Sequence, residues 1–206
     1  MTSPHPRRVF DYADPSVKGY PLLNSLVVPR PIAWVSTVDA DGVGNLAPHS
    51  FFTVACADPG IVQFTSIGAK DTLRNVRDTE EFVVNLTPRW LLEHVNGSSA
   101  RFDAGTDEAE ALELAMEPSE RVRPARVVES PASIECRLHS LVDLGTSTLI
   151  LGTVLAATVW ESALDGDHPT MEALQPLSRL GRNEWGRPPE VIAIDRPQRP
   201  EDVHLP

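Results

Sequence analysis

With 206 residues, 41% hydrophobic and 23% charged, the chain lies in the ordinary globular range and is long enough to bury a substantial core. Its 18 basic and 29 acidic residues give a formal net charge of -11, which argues against a broad nucleic-acid or anionic-membrane surface while leaving room for a local basic pocket. Only two cysteines are present, Cys56 and Cys136, both in apolar strand-like segments, so neither a disulfide framework nor a four-thiolate zinc site is expected.

At the N-terminus, Met-Thr-Ser-Pro-His-Pro-Arg-Arg runs into Val9-Phe10-Asp11 rather than a secretory apolar region, and no long apolar span follows. The expectation is a soluble, cytoplasmic protein with no membrane segment. Residues 32–38 are apolar and β-branched, and Asp39-Ala40-Asp41-Gly42 supplies turn chemistry before a second run over 45–55, which predicts a β-hairpin. Asp58-Pro59-Gly60 ends that run, and 61–65 reads as a third strand. Beyond Gly68 the spacing of Leu73 and Val76 predicts a short amphipathic helix capped by Asp71 or Ser66. A fourth strand is expected over 81–86 and a helix over 89–96. A further helix over 106–116 would start at Asp107 and Glu108 and turn Ala111, Leu112 and Ala115 inward. Glu108, Glu110 and Glu113 would form its solvated face.

Two long β-rich runs, 133–143 and 149–160, flank Gly145-Thr146-Ser147 as a second hairpin, and 191–194 reads as a last short strand. Six or seven mostly antiparallel strands with peripheral helices point to a mainly β fold, a closed or nearly closed barrel, since closure removes exposed edges. A doubly wound parallel sheet fits less well, because alternating helices and a Gly-x-Gly-x-x-Gly fingerprint are both missing. The expected organisation is an N-terminal extension (1–19), one barrel domain (20–186) and an extended tail rich in proline and charge (187–206).

Chemistry concentrates in three places. The turn Ser66-Ile67-Gly68-Ala69-Lys70-Asp71-Thr72 lies between a strand and a helix, where N–H groups, hydroxyls and an ammonium could converge on a phosphate, although a capped helix with a solvated lysine has the same sequence signature. It does not match a Walker P-loop. In Asn45-Leu46-Ala47-Pro48-His49-Ser50-Phe51-Phe52, Pro48 cannot donate to a ladder and belongs at an edge or bulge, where backbone N–H groups near His49 and Ser50 could bond a ligand; an edge strand with core phenylalanines is the alternative, and for Phe51 and Phe52 taken singly core packing is the favoured reading. Arg179 and Gly181 form a third candidate, with an ordinary surface loop as the alternative. No side chain stands out as a catalytic nucleophile: Ser50 lacks a Gly-x-Ser-x-Gly elbow, and no histidine spacing suits a metal.

The segments Arg-Pro-Ile-Ala-Trp-Val-Ser-Thr-Val (30–38), Asn-Leu-Ala-Pro-His-Ser-Phe-Phe (45–52), Lys-Asp-Thr-Leu-Arg-Asn (70–75), Glu-Phe-Val-Val-Asn-Leu (81–86), Leu-Ile-Leu-Gly (149–152) and Leu-Ser-Arg-Leu-Gly (177–181), in this order, resemble the flavin reductase-like family with its FMN-binding split barrel. The relatives suggested are of the flavoredoxin and nitrilotriacetate-monooxygenase-component-B type. The resemblance implies a homodimer with FMN near the subunit interface and hydride or electron transfer through it. Carried over by position, Ser66, Lys70 and Thr72 would hold the phosphate; Asn45, Ala47, Pro48, His49, Ser50 and Phe51 would line the ring and ribityl chain; Trp34 would lie close to the ring; Gly68, Arg179 and Gly181 complete the cofactor-binding set. Where reductases of two-component monooxygenases often carry Gly-Asp-His, this chain has Gly145-Thr146-Ser147. The electron donor is therefore open between NADH, NADPH and a partner protein, the last corresponding to a flavin-binding electron carrier. The acceptor would be a small molecule or a partner monooxygenase.

Overall fold

Alternation along the first strand sets the architecture. In β1 (Ala33–Val38), Ala33 and Val35 point into one buried cluster, while Trp34 and the preceding Ile32 point into another on the opposite face. The computed structural model describes residues 5–203. β1 pairs antiparallel with β2 (Gly44–His49), and β3 (Phe52–Cys56) pairs with β4 (Ile61–Ile67). β5 (Glu81–Asn85) joins β1 to the hairpin of β8 (Ala132–Leu144) and β9 (Ser147–Val159), which turns at Gly145-Thr146 as its sequence predicts. Two short ribbons are interposed in sequence, β6 (Met116–Glu117) with β7 (Arg126–Val127) and β10 (Leu164–Asp165) with β11 (His168–Pro169). A third, β12 (Ser178–Arg179) with β13 (Trp185–Gly186), follows them.

The seven long strands form one antiparallel sheet in the order β2-β1-β5-β8-β9-β4-β3. Its two edge strands, β2 and β3, are consecutive in the chain and separated only by Ser50 and Phe51. The predicted single strand over 45–55 is thus broken at those two residues, and the sheet rolls until its edges meet at a two-residue seam. There the Thr65 N–H bonds the Phe51 carbonyl at 3.0 Å. Pro48 sits on an edge strand, where a missing N–H costs no ladder bond. Both long strands of the β8–β9 hairpin carry register shifts, at Glu135/Cys136 and Leu138/Ser140, which help bend it around the core.

Inside the roll, Ala33, Val35, Val62, Phe64, Phe82, Val84, Cys136 and Ile150 pack together, and α2 (Asp71–Thr79) adds Leu73 and Val76. Burial pushes the Cys136 thiol up to about 12. The cap of α2 differs from expectation: Lys70 occupies the N-cap position with extended backbone and no capping side-chain bond, Asp71 pairs with exposed Arg74, and the Ser66 hydroxyl turns back to the Gly68 carbonyl. Outside the barrel, a 3-10 turn (Arg89–Leu91) leads into α3 (Leu92–Gly97), as predicted.

The helix predicted over 106–116 is reduced to α4 (Glu108–Ala111). Its start is as expected, with Asp107 accepting from the N–H groups of Ala109 and Glu110. Glu113 then adopts φ 56 in the left-handed region and ends the helical path, so Ala109 and Leu114 are buried while Ala111 and Ala115 are exposed. Glu108 is not solvated either. Its buried carboxylate accepts the Leu46 N–H at 2.8 Å and so completes a backbone group on edge strand β2. α5 (Met171–Leu174) starts with Thr170 as its cap.

No strand forms at 191–194. Val191, Ile192 and Ile194 are exposed, and the segment pairs with neither edge of the main sheet. The sequence also did not predict α1 (Gly19–Leu26), a helix with no buried residue that displays Tyr20, Leu23 and Leu26.

Candidate functional site

Ser50 lines three adjoining cavities at the seam. One, of about 480 Å³, is walled by Leu23, Val27, Pro29, Phe51 and Phe52 and is largely apolar. A second, of about 170 Å³, is bordered by Tyr20, Pro48, His49, Phe51, Ile67 and Lys70. The third, of about 330 Å³, holds Arg30, Arg179 and Arg182. An apolar slot and a cationic end therefore lie on either side of the same short segment.

The break in the strand leaves hydrogen-bonding capacity at this place. The Ser50 and Phe51 N–H groups donate to no acceptor among the described residues. His49 supplies the complementary function. Its Nδ1 lies 3.3 Å from the Thr65 carbonyl, which can only accept, so Nδ1 carries the proton and Nε2 is left as an acceptor. Nε2 is buried and has no partner among the described residues. Burial holds this imidazole down to about 4; the Thr65 bond opposes the shift and the Lys70 charge adds to it. The ring packs 4.8 Å from that of Phe64, which fixes it in place. Two donors and one fixed acceptor thus belong to three consecutive residues that line one cavity.

The turn after β4 is more committed to its own structure than the sequence suggests. Gly68 takes φ +77, favourable to glycine, with open space where a Cβ would stand, and its N–H bonds the Thr146 carbonyl at 2.9 Å. Ser66 is fully buried with its hydroxyl directed to the Gly68 carbonyl. Thr72 and Asn45, both buried, bond each other at 3.1 Å and brace α2 against β2. Only Lys70, exposed at the rim, presents a polar end to the cavity from this group.

The remaining candidates separate. Pro48, His49, Ser50 and Phe51 line the cavities, whereas Ala47, half-buried opposite Val35, lines none of the three. Trp34 is placed away from the site: it has no exposed surface, packs with Leu46, Leu91 and Val95, and donates its indole N–H to Ser98 at 2.9 Å. Alternation sends it to the face of β1 opposite the barrel interior. Gly181 is a packing position, since a Cβ there would come 2.6 Å from the Ser25 hydroxyl of α1. Arg179 lies over the Trp185 ring at 4.6 Å, and its backbone pairs with that of Arg30 at 3.0 and 2.9 Å.

Arg30 was not singled out as a site residue in the sequence. It is buried, and its guanidinium donates to the carbonyls of Asn24, of Val27 at 2.8 Å and of Leu180 at 2.8 Å, with Nε 3.5 Å from the Ser50 hydroxyl. It thereby locks α1 and the β12–β13 ribbon onto the seam. The available signal was a cation between two prolines, Pro29-Arg30-Pro31, at the start of an apolar strand. Tyr20 and Arg182 were missed as well; α1 has no buried face, so periodicity did not mark it.

Among the described residues no group of three or more His, Cys, Asp and Glu is arranged to hold a metal ion, and no helix is long and apolar enough to cross a membrane. An uncharacterized protein of Deinococcus radiodurans is 38% identical over 179 residues, 81% of this chain and 79% of that one. The structure of nitrilotriacetate monooxygenase component B from Bacillus cereus superposes with a TM-score of 0.88 at 27% identity, covering 92% of this chain and 100% of that chain. The Pseudomonas fluorescens 2-nitrobenzoate 2-nitroreductase NbaA gives 0.85 at 27% identity, covering 93% and 97%. The family model for the flavin reductase like domain matches residues 25–174, a span that includes the seam, the Lys70 turn and the β8–β9 hairpin. The chain is a split-barrel protein and belongs to the flavin reductase like domain family.

Proposed function

We propose that this protein is an FMN-dependent oxidoreductase, assembled as a homodimer and carrying electrons from NADH or NADPH to a small acceptor or a partner monooxygenase. The observation that carries the proposal is the seam, where, among the described residues, two N–H groups have no acceptor and one buried imidazole acceptor has no donor, beside an apolar slot. A flavin would answer each of these, with pyrimidine carbonyls for the N–H groups, a ribityl hydroxyl or ring N–H for His49 Nε2, and a flat ring against Phe51 and Phe52. FMN, when bound, supplies the hydride or electron transfer itself.

The protein's own residues then bind, orient and polarise. The Ser50 and Phe51 N–H groups stabilise negative charge at the pyrimidine end, as preorganised donors do in an oxyanion hole. His49 stays neutral across the physiological range, so Nε2 remains an acceptor and does not shuttle protons. Lys70 provides the phosphate contact, because the Ser66 hydroxyl and the Gly68 N–H donate within the fold and buried Thr72 accepts from Asn45 there. The nitroreductase and monooxygenase-component relatives are in keeping with electron delivery to more than one kind of acceptor.

A second form of the proposal is an electron carrier reduced by a partner protein. It is favoured by the turn Gly145-Thr146-Ser147, which braces Gly68 through the Thr146 carbonyl and offers no histidine. An absorbance spectrum of the purified protein mixed with FMN, followed by anaerobic addition of NADH or NADPH, tests both. Flavin bands that bleach within about a second fit the enzyme at ordinary turnover rates. Bleaching by a ferredoxin system alone selects the carrier, and failure to retain FMN at all overturns both.

A further inference from the structure

The cavity of about 330 Å³ is unlike the rest of this acidic protein. Three arginines, Arg30, Arg179 and Arg182, line it together with Tyr20, Asn24 and Ser50, and no carboxylate is among its lining residues. None of the three arginines forms an ion pair among the described residues. Arg30 is nine-tenths buried, and every partner of its guanidinium is a neutral carbonyl or the Ser50 hydroxyl. Desolvation and the neighbouring charge of Arg179 both depress its basicity. A buried cation kept beside another cation is costly in a chain with this many acidic residues, and a bound anion would offset that cost.

We infer that this cavity binds the anionic group, carboxylate or phosphate, of the second reactant that meets the flavin. The inference rests on the flavin reading only in placing FMN in the adjoining cavities, which share Ser50 with this one. Arg179 is preoriented to meet such an anion, since its guanidinium lies against the Trp185 ring and is tied to the Arg182 carbonyl at 3.0 Å, so little rotamer freedom is lost on binding. Arg30 is held by its three carbonyl bonds and extends Nε toward Ser50. The FMN phosphate has a different counter-charge, Lys70, which borders the cavity on the His49 side and does not line this one.

The test is calorimetric titration of the FMN-loaded protein with benzoate and with its neutral counterpart benzamide, and in parallel with NAD+ and with phosphate-free nicotinamide riboside. Wild type is compared with Arg182→Gln, which spares the Arg30 clamp. Benzoate binding without benzamide binding, weakened roughly tenfold by the substitution, supports a carboxylate-bearing reactant. NAD+ binding with the same loss, and none for the riboside, supports a phosphate-bearing one. Heats equal to buffer for both anions overturn the inference, and so does equal anion affinity in the variant. If Arg182→Gln instead weakens FMN itself tenfold, the cavity belongs to the FMN phosphate and the inference fails while the flavin reading stands. Failure to load FMN sinks the flavin reading before any anion is added, and the second-reactant site with it.

Discussion

Arg126 and Arg30 are both withdrawn from solvent, and the fold treats them in opposite ways. Arg126, 16% exposed, meets Glu117 at 2.8 Å, Glu120 at 3.5 Å and fully buried Glu135 at 3.4 Å. Glu135 also accepts the Glu120 N–H at 2.9 Å and the Arg121 N–H at 2.6 Å, so the loop between β6 and β7 is gathered around one satisfied charge cluster. Arg30 has comparable burial and no carboxylate at all. The first region is closed, every strong group having its complement within the chain. At the seam the complements are missing together among the described residues: those of the Arg30 charge, of His49 Nε2, and of the Ser50 and Phe51 N–H groups. A buried polar atom without a partner, as His49 Nε2 is among the described residues, costs on the order of 1–3 kcal/mol, and its place beside an unpaired cation and two half-buried N–H groups distinguishes a surface built for a ligand from one built for stability.

The sharpest way to break this contrast is to make the closed region resemble the open one. Glu135→Ala removes the acceptor of two loop N–H groups and one of the partners of Arg126, and should cost about 3–5 kcal/mol in chemical denaturation, with FMN affinity unchanged. A loss below about 1 kcal/mol would show that Glu117 and Glu120 suffice.

His49 probes the open region through pH. The native ring, held at about 4 against an ordinary value of 6.5, stays neutral while the unfolded ring takes up a proton. The contribution is complete above the ordinary value and is lost as pH falls through the window toward about 4, up to roughly 3 kcal/mol. His49→Gln should flatten that limb of the stability curve; an unchanged acid limb would place the titration elsewhere.

Glu108 tests the closed logic at the edge of the sheet. Glu108→Ala strands the Leu46 N–H and should cost about 1–3 kcal/mol, whereas Glu108→Gln keeps an acceptor and should cost much less at neutral pH. Burial raises the native carboxyl, chiefly by desolvation and against the Leu46 bond, so the ionised form is penalised in the fold. Wild type should therefore gain on the Gln variant as pH falls through the carboxyl range, and parallel curves would contradict this. The smallest stability effect belongs to Lys70→Ala, within about 0.5 kcal/mol for the FMN-free protein. In the same variant FMN binding should weaken by about 1.5–3 kcal/mol, measured by fluorescence titration.

What could be read from the sequence followed from local pattern. β1, β4, β5 and the β8–β9 hairpin were visible as alternating or β-branched runs between turn residues, and Pro48 correctly marked an edge. The residues that turn the barrel into a site were hidden by distance. Leu180, whose carbonyl holds Arg30, is 150 positions away in the chain, and nothing in either segment announces the meeting. Glu108 has the same composition and spacing as Glu110 and Glu113; only the left-handed turn at Glu113 and the approach of β2 separate a buried acceptor from two solvated ones. Trp34 shows the limit in another form. The run over 32–38 reads as a strand, but which side of β1 faces the cavity depends on how the sheet closes.

Cys136 has a use as a reporter. It lies opposite Phe82 where β5 meets β8, fully buried, with a thiol that burial keeps protonated, whereas Cys56 at the end of β3 is partly exposed. An alkylating reagent at neutral pH should mark Cys56 in the native protein and Cys136 only when the barrel opens. The two thiols thus make an internal clock: their labelling ratio over time counts opening events of the barrel wall, in the native chain and without any engineered probe.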